Sequence, residues 1–279
     1  MSEYSLVTRA ALNLYRAIER TGALENRLVQ DFFQTAYFIY KRTLEDAFAG
    51  LVKNRPDLFA GGHILDVGAN IGYTSTLFIS RLSKGFKLFA FEPEARNFEQ
   101  LKRAMRRTGR QEEVVALQAA VGSKDGTAEL KINRDHHADH RIVSEDTSSA
   151  GREASSKSAE QQSYVSVPLR SLDSVMREYG ALSPVSFVKI DVQGYELPVF
   201  QGMEELIKAN PGLTVAFEYD SLSLASMNSS GDDLLSFFKE RGFKLSLLSR
   251  KGELIPYTEA ALASEIAKRA YVDFIAQRR

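Results

Sequence analysis

The sequence predicts a doubly wound α/β fold, on three observations. From residue 63 onward short apolar runs alternate with amphipathic helical stretches. A glycine-bearing turn joins the first run to its helix, and carboxylate residues close several of the runs. The alternation implies right-handed crossovers and a mostly parallel sheet, here of seven strands, with helices on both faces. In such a sheet ligands sit at the carboxyl ends of the strands. A helical N-terminal extension over residues 1–60 precedes this domain, which takes residues 61–279.

The extension reads as helix because Val7, Ala11, Leu14 and Ile18 form one stripe at helical spacing. Val29, Phe33, Tyr37, Tyr40, Leu44, Phe48 and Leu51 form a longer one. Its polar face carries both charge signs, which favours a cap packed on protein over a membrane-surface helix. Asn54-Arg55-Pro56 ends it, and Gly61-Gly62 opens a new region. His63–Val67 is the first strand and Tyr73–Ser83 its helix. Lys87–Phe91 is the second, followed by helix Glu94–Arg107, and Val114–Ala119 is the third. Thr127–Ile132 reads as a hairpin strand after the Asp125-Gly126 turn. Ser144–Ser163 holds seven serines and almost no large apolar side chain, too little burial to offset its ordering entropy. A mobile insertion at about 143–163 is therefore expected, running over the sheet edge. Tyr164–Leu169 resumes strand character and Ser171–Tyr179 is a short helix. Phe187–Val192 is the fourth strand, with Glu196–Ala209 as its helix, and Leu213–Tyr219 the fifth. Helix Asp232–Arg241 leads to the sixth, Phe243–Leu248, and Tyr271–Ala276 is the seventh.

Composition narrows the function. Of 279 residues, 44% are hydrophobic and 26% charged, the make-up of a globular chain with a sizeable core. Thirty-six basic residues balance thirty-six acidic ones, which disfavours a nucleic-acid partner, whose phosphates call for a basic excess. The absence of cysteine excludes disulfide scaffolds, thiolate metal sites and cysteine nucleophiles. No apolar run reaches the ~20 residues of a transmembrane helix, and Met1–Ala10 lacks the apolar core of a secretory signal. The expected location is the cytoplasm.

The strongest motif is Asp66-Val67-Gly68-Ala69-Asn70-Ile71-Gly72-Tyr73. An acidic residue ends the strand, Gly68 and Gly72 make the turn, and a helix follows. Glycine permits a sharp turn and close approach of a ligand. The spacing differs from the GxGxxG that seats a pyrophosphate at a helix N-terminus, which argues against a dinucleotide. Glu92 ends the second strand, twenty residues past Gly72, where a carboxylate can accept both hydroxyls of an unmodified ribose. Asp66 can hold a cationic amine, and the Asn70 amide can meet a carboxylate. Each residue alone is compatible with a plain tight turn. Together they describe a pocket for a nucleoside without a diphosphate, and the matching cofactor is S-adenosylmethionine.

In the second half, Val188-Lys189-Ile190-Asp191-Val192-Gln193-Gly194-Tyr195-Glu196 carries Asp191 at the end of the fourth strand. Phe217-Glu218-Tyr219 delivers Glu218 to the same edge from the fifth. With DVGANIGY at 66–73, FEP at 91–93, SLD at 171–173, VKIDVQGYE at 188–196 and FEY at 217–219, the sequence resembles the FkbM-type S-adenosylmethionine-dependent methyltransferases over roughly residues 62–220. The resemblance implies a class I methyltransferase (Rossmann-like) fold and O-methylation of a hydroxyl on a sugar, polyketide or other small metabolite or glycan. The family's commonest form has Glu where this chain has Gln193, so Gln193 is given no catalytic role.

Attack of a hydroxyl on a sulfonium methyl needs alignment and a proton acceptor. Asp191 is the leading catalytic candidate, with Glu218 and His137 behind it. His137 stands in Asp135-His136-His137-Ala138-Asp139-His140, a loop with nothing to fix metal-ligand geometry. Asp191 and Glu218 can also bind Mg²⁺, which takes oxygen ligands. No third ligand is identifiable beside them, so Mg²⁺ is possible but not favoured and no metal residues are assigned. Lys102, Arg103, Arg106, Arg107 and Arg110 recur at helical spacing opposite Phe98, Leu101 and Met105, which reads as a solvated helix face. His63 reads as structural. The competing readings are methylation of a protein or nucleic acid, and a degenerate, non-enzymatic binding module on the same fold. The oligomeric state is not readable from the sequence.

Overall fold

The structure is a computed structural model that describes residues 34–39, 46–133, 141–143, 162–227 and 229–278. The chain divides into two compact units, Met1–Asp46 and Ala47–Arg279. In the first, residues 34–39 are helical. The second holds two sheets. Helix α1 (Ala47–Asn54) and the 3₁₀ turn Pro56–Phe59, which the sequence assigns to the extension, belong to this second unit. The reason is aromatic packing. Phe48 meets Phe78 edge-on with ring centroids 5.9 Å apart, and Phe59 lies 4.4 Å from Phe187.

Strands β1 (His63–Val67), β2 (Leu88–Phe91) and β3 (Val114–Leu117) come first. A short β4 (Ala120–Val121) leads to β5 (Gly126–Asn133), β6 (Arg141–Val143) and β7 (Gln162–Arg170). The rest are β8 (Val185–Ile190), β9 (Thr214–Tyr219), β10 (Lys244–Leu248), β11 (Leu254–Pro256) and β12 (Val272–Gln277). The main sheet has eight strands in the order β11-β10-β12-β9-β8-β1-β2-β3. Five neighbours, β3 through β9 across β1, pair in parallel; β12, β10 and β11 pair antiparallel. The expectation of seven mostly parallel strands is corrected to a mixed sheet of eight. Periodicity reports which residues are buried but carries no information on strand direction, and Leu254–Pro256 is too short to show a pattern.

Strands β4, β7, β5 and β6 form a second sheet. In it β5 and β7 pair antiparallel from Gly126 opposite Leu169 to Asn133 opposite Gln162. Val143, Gln162 and Ser163, placed in the expected insertion, are thus strand residues; the expected mobility of the serine-rich segment between them falls on residues outside those described.

The helices are α2 (Tyr73–Ile79), α3 (Ala95–Arg107), α4 (Leu172–Glu178), α5 (Glu196–Gln201), α6 (Glu204–Ala209), α7 (Ser221–Ser226), α8 (Gly231–Glu240) and α9 (Glu259–Ile266). Several of them start at side-chain caps. Glu94 accepts from Asn97 N–H at the head of α3, and Ser230 with Asp233 forms a capping box on α8. The sequence predicts one helix over 196–209, and the structure breaks it at Gly202-Met203. A Cβ on Gly202 would lie 2.1 Å from the Gly122 carbonyl oxygen, so the chain closes against that loop and restarts. Asp173 caps the new helix, accepting from Glu205 and Leu206 N–H at 3.0 and 2.9 Å.

Central strands are buried on both faces, as parallel strands require. Leu65, Val67, Phe89, Phe91, Val188 and Ile190 join a core with Val199, Phe200, Phe217, Phe238 and Phe274. Each fully buried Phe contributes roughly 1.5–3 kcal/mol. On the opposite face Phe187 packs on Phe59 and Phe78. Ile64 pairs with Phe187, and Asp66 with Lys189, across β1 and β8. Alternation then puts Asp66, Lys189, Asp191 and, by register, Glu218 and Asp273 on this second face at the strand ends. Among the described residues no helix is long and apolar enough to cross a membrane.

Candidate active site

The turn after β1 is built on two left-handed glycines, but each meets protein. Gly68 has φ +73, and a Cβ there would lie 1.9 Å from the Asp191 carbonyl oxygen. Gly72 has φ +90, and its Cβ would press on Leu101 and Ala104 of α3. The sequence reading gave these glycines to ligand approach; the structure gives their bare α-carbons to the crossing of the turn with the β8 end and with α3. The N–H groups from Gly68 to Gly72 are all engaged. Those of Gly68 and Ala69 donate to the Phe91 carbonyl, Asn70 to Glu92, Ile71 to the Asn70 side chain and Gly72 to the Ala69 carbonyl. A turn with no N–H to spare is no cradle for a diphosphate.

Asp66 is fully buried beneath this turn. Its Oδ2 accepts from the hydroxyls of Thr74 and Ser75 at 2.8 and 2.6 Å, tying β1 to the first turn of α2. Its Oδ1 has no hydrogen-bond partner and lies 3.5 Å from Lys189 Nζ. Lys189, 3% exposed, sits 3.4 Å from Asp191 and donates to the Gly68 carbonyl at 3.0 Å. Burial works to lower its pKa, but Asp191 and Asp66 outweigh burial and hold the ammonium above its ordinary value. A buried ammonium thus joins the glycine turn to the end of β8.

Glu92 lies at the carboxyl end of β2 and is buried. Its two oxygens accept one N–H each, from Asn70 at 2.9 Å and Glu94 at 3.0 Å. Burial pushes its pKa up to about 7 in spite of these donors. A carboxylate has about four acceptor positions, so Glu92 is short of donors and keeps capacity for two hydroxyl groups. Asn70, itself left-handed at φ 49, contributes its backbone N–H to Glu92, and its side chain closes the turn onto Ile71.

Beyond β8 lies a cluster of carboxylates. Gln193, at φ 55, donates from Nε2 to Asp191 Oδ1 at 3.1 Å and to Glu218 Oε1 at 3.2 Å. Asp191 is partly open to solvent while Glu218 is buried. Burial, reinforced by Asp191, Asp273 and Glu196, holds Glu218 well above the ordinary carboxylate range. Glu196 accepts from the N–H groups of Val192 and Gly194 at 3.2 Å, shaping the loop before α5. Burial raises it to about 7.

The structure therefore brings together Gly68, Asn70, Gly72 and Glu92 around one turn and Asp191 with Glu218 beside it, with Asp66 underneath both. His137 falls outside the described residues. His63 opens β1, accepts from Lys87 N–H and packs edge-on against Phe86 and Phe89. Sequence reasoning missed three members, Lys189, Gln193 and Asp273. A lysine inside an otherwise apolar strand run was the signal for the first. Among the described residues no group of three or more histidine, aspartate or glutamate side chains is arranged to hold a metal ion.

Residues 66–245, well over half of the chain and spanning all of this constellation but Asp273, match the family described as "Methyltransferase FkbM domain". "Methyltransferase sdnD" of Sordaria araneosa is 30% identical over 185 residues, which is 61% of this chain and 70% of that protein. "Methyltransferase 1" of Beauveria bassiana (strain ARSEF 2860) is 25% identical over 173 residues, 60% of this chain and 67% of that one. The crystal structure of Methyltransferase FkbM from Methylobacillus flagellatus KT aligns with TM-score 0.47 and 15% identity, covering 88% of this chain; the chain spans about half, 52%, of that protein's length. The match over the turn, the strand ends and the carboxylates makes this chain a member of the FkbM-type family of S-adenosylmethionine-dependent methyltransferases.

Proposed function

We propose that the chain methylates a hydroxyl of a small metabolite or glycan, with Asp191 as the proton acceptor and Glu92 as the anchor of the cofactor ribose. The observation that carries this reading is the contact between Gly68 and Asp191. The Asp191 N–H donates to the Val67 carbonyl at 3.2 Å, and the Gly68 α-carbon abuts the Asp191 carbonyl. The turn that would hold a nucleoside and the carboxylate that would take a proton are thus in direct contact, which supports this reading.

When bound, S-adenosylmethionine supplies a methyl group already activated by the sulfonium charge. What remains for the protein is alignment, exclusion of water and proton acceptance. Glu92, short of donors, takes the ribose hydroxyls. Asn70 and the Gly68–Gly72 turn shape the pocket floor. Asp191, beside the Lys189 ammonium and still open on one side, accepts the hydroxyl proton. Asp66 has no free face for a ligand amine; its part is to hold Lys189 and α2. Mg²⁺ is not required in this reading, because the Gln193 amide occupies the space between Asp191 and Glu218. The cytoplasm remains our proposed location.

The test is label transfer. The full chain is incubated with radiolabelled S-adenosylmethionine and an extract separated into small-molecule, glycan, protein and nucleic-acid fractions. Label in a small-molecule or glycan fraction as a base-stable methyl ether is expected. Label in protein or nucleic acid would overturn the acceptor class, and no transfer to any fraction would favour a binding module.

A further inference from the structure

We propose that Gln193 is a positioning residue: its side-chain amide, donating at once to Asp191 and Glu218, holds the carboxylates of two neighbouring strands as one proton-sharing pair and keeps a divalent cation from bridging them. The proposal rests on the role given to Asp191 above, but its test does not need methyl transfer.

The geometry comes first. Asp191 follows β8 and Glu218 lies on β9, whose registers run together to Ile190 opposite Phe217. One more step puts the two carboxylates side by side on the same face. Like charges so placed repel unless a cation, a proton or a donor stands between them. Here the donor is a neutral amide, 3.1 Å from one carboxylate and 3.2 Å from the other. An amide nitrogen carries two N–H groups, one for each oxygen, so the facing lone pairs are taken by donors that a metal ion would have to displace.

The backbone is arranged to deliver that amide. Gln193 has φ 55 and Gly194 φ 101, and a left-handed non-glycine residue costs on the order of 1–2 kcal/mol unless its surroundings hold it. Glu196 does so, bonding the N–H groups on either side of Gln193. Gly194 cannot be replaced cheaply, because its Cβ would lie 2.5 Å from the Ser223 carbonyl oxygen.

The charged groups around the pair come from every neighbouring element. Lys189 of β8 faces Asp191 and is itself shared with Asp66 of β1. Asp273 of β12 stands opposite Glu218 in register, and Glu196 opens α5. Tyr271, half-exposed just before β12, is held above its ordinary value by desolvation and by Asp273, Glu218 and Asp191, with Arg269 acting the other way. Lys189 thus serves both Asp66 and Asp191. Glu218 is the one driven to keep a proton, by burial and by its acidic neighbours, and Asp191, partly open to solvent beside the Lys189 ammonium, is the one placed as acceptor.

Carboxyl-carbon NMR of the full chain, labelled in Asp and Glu, reads the pair directly. In the wild type the Asp191 and Glu218 carbons should each show both macroscopic steps, the mark of coupled titration. In Gln193→Ala, loss of two donors to the carboxylates should move the first step to higher pH by about one unit, a tenfold shift in proton affinity. Gln193→Asn, which keeps the amide on a shorter arm, should fall between. Mn²⁺ titration followed by electron paramagnetic resonance is the second readout. Gln193→Glu places a third carboxylate where the amide was and should bind Mn²⁺ at least tenfold tighter than wild type. Titration curves unchanged in Gln193→Ala, or wild-type protein binding Mn²⁺ as tightly as Gln193→Glu, would overturn the proposal. A variant that misfolds is recognised by lost affinity for S-adenosylhomocysteine, and Gln193→Asn then supplies the comparison. If the proton-acceptor reading itself is wrong, Asp191→Asn turns over normally while these titrations still show the coupled pair.

Discussion

Lys189 places its ammonium 3.4 Å from Asp191, two residues further along the chain just past the end of β8, and 3.5 Å from Asp66 on the neighbouring strand. Its third contact is the Gly68 carbonyl at 3.0 Å. One buried cation therefore ties together the first strand, the glycine turn and the residue assigned to proton acceptance. Lys189→Met would leave Asp66 buried without a counter-ion, at a cost of about 3–5 kcal/mol. Urea unfolding at pH 7 measures it. The double variant Lys189→Met, Asp66→Asn should recover most of the loss, and a deficit that persists in it would point to packing rather than charge.

As the proposed ribose anchor, Glu92 should tie cofactor affinity to pH. Burial lifts its folded pKa from 4.5 to about 7, so between those values the ligand-free folded protein binds more protons than the unfolded chain. Its contribution to stability is full below pH 4.5 and is lost as pH rises through 7. Ribose hydroxyls donate to the ionised carboxylate, so affinity for S-adenosylhomocysteine should rise from pH 6 to 8, with proton release on binding. Calorimetry in buffers of different ionisation enthalpy reads both. Glu92→Ala removes two charge-assisted hydrogen bonds of about 1.5–3 kcal/mol each, less what water recovers, so affinity should fall at least tenfold. Glu92→Gln should flatten the pH dependence. Unchanged affinity in folded Glu92→Ala would remove this residue from the cofactor site.

Asp191→Asn should lower turnover on the identified acceptor by ~10²-fold or more while leaving affinity for S-adenosylhomocysteine nearly intact. Wild-type activity should survive chelator. Activity abolished by chelator and restored by Mg²⁺, with Glu218→Gln failing alongside Asp191→Asn, would instead make the pair a metal site.

The glycines of the turn should differ sharply in tolerance. Gly68→Ala drives a methyl to 1.9 Å from a backbone oxygen at φ +73, so it should cost more than about 3 kcal/mol from strain and overpacking together. Gly85→Ala is the control. It shares a positive φ, +91, but has nothing within 4 Å of the new Cβ, and should cost only about 1–2 kcal/mol. Thermal unfolding of the two variants should separate them by several degrees. Equal losses would mean that the close approach to Asp191 relaxes freely.

The chain of local signals was enough to place the seven strands that end in the main sheet, because each is a buried run bounded by turn residues and burial shows in hydrophobicity. It was also enough to bring Asp66, Gly68, Asn70, Gly72, Glu92, Asp191 and Glu218 to one edge, since strand-end position follows from strand assignment alone. Direction and pairing lay beyond it. The reversal of β12 between β9 and β10, the eighth strand and the separate sheet of β5 with β7 all rest on contacts between distant segments, which leave no period in the sequence.

Side-chain roles divided along the same line. That a glycine is needed at 68 is written in a turn motif; that its bare α-carbon abuts the Asp191 carbonyl depends on how β1 and β8 meet. Lys189 reads in sequence as one charge in an apolar run, and Gln193 as a carboxylate lost. Only packing makes the first the shared counter-ion of Asp66 and Asp191 and the second the donor between Asp191 and Glu218, because a charge or amide at such a site takes its meaning from the groups within hydrogen-bond reach, and those are brought together by three neighbouring strands, β1, β8 and β9.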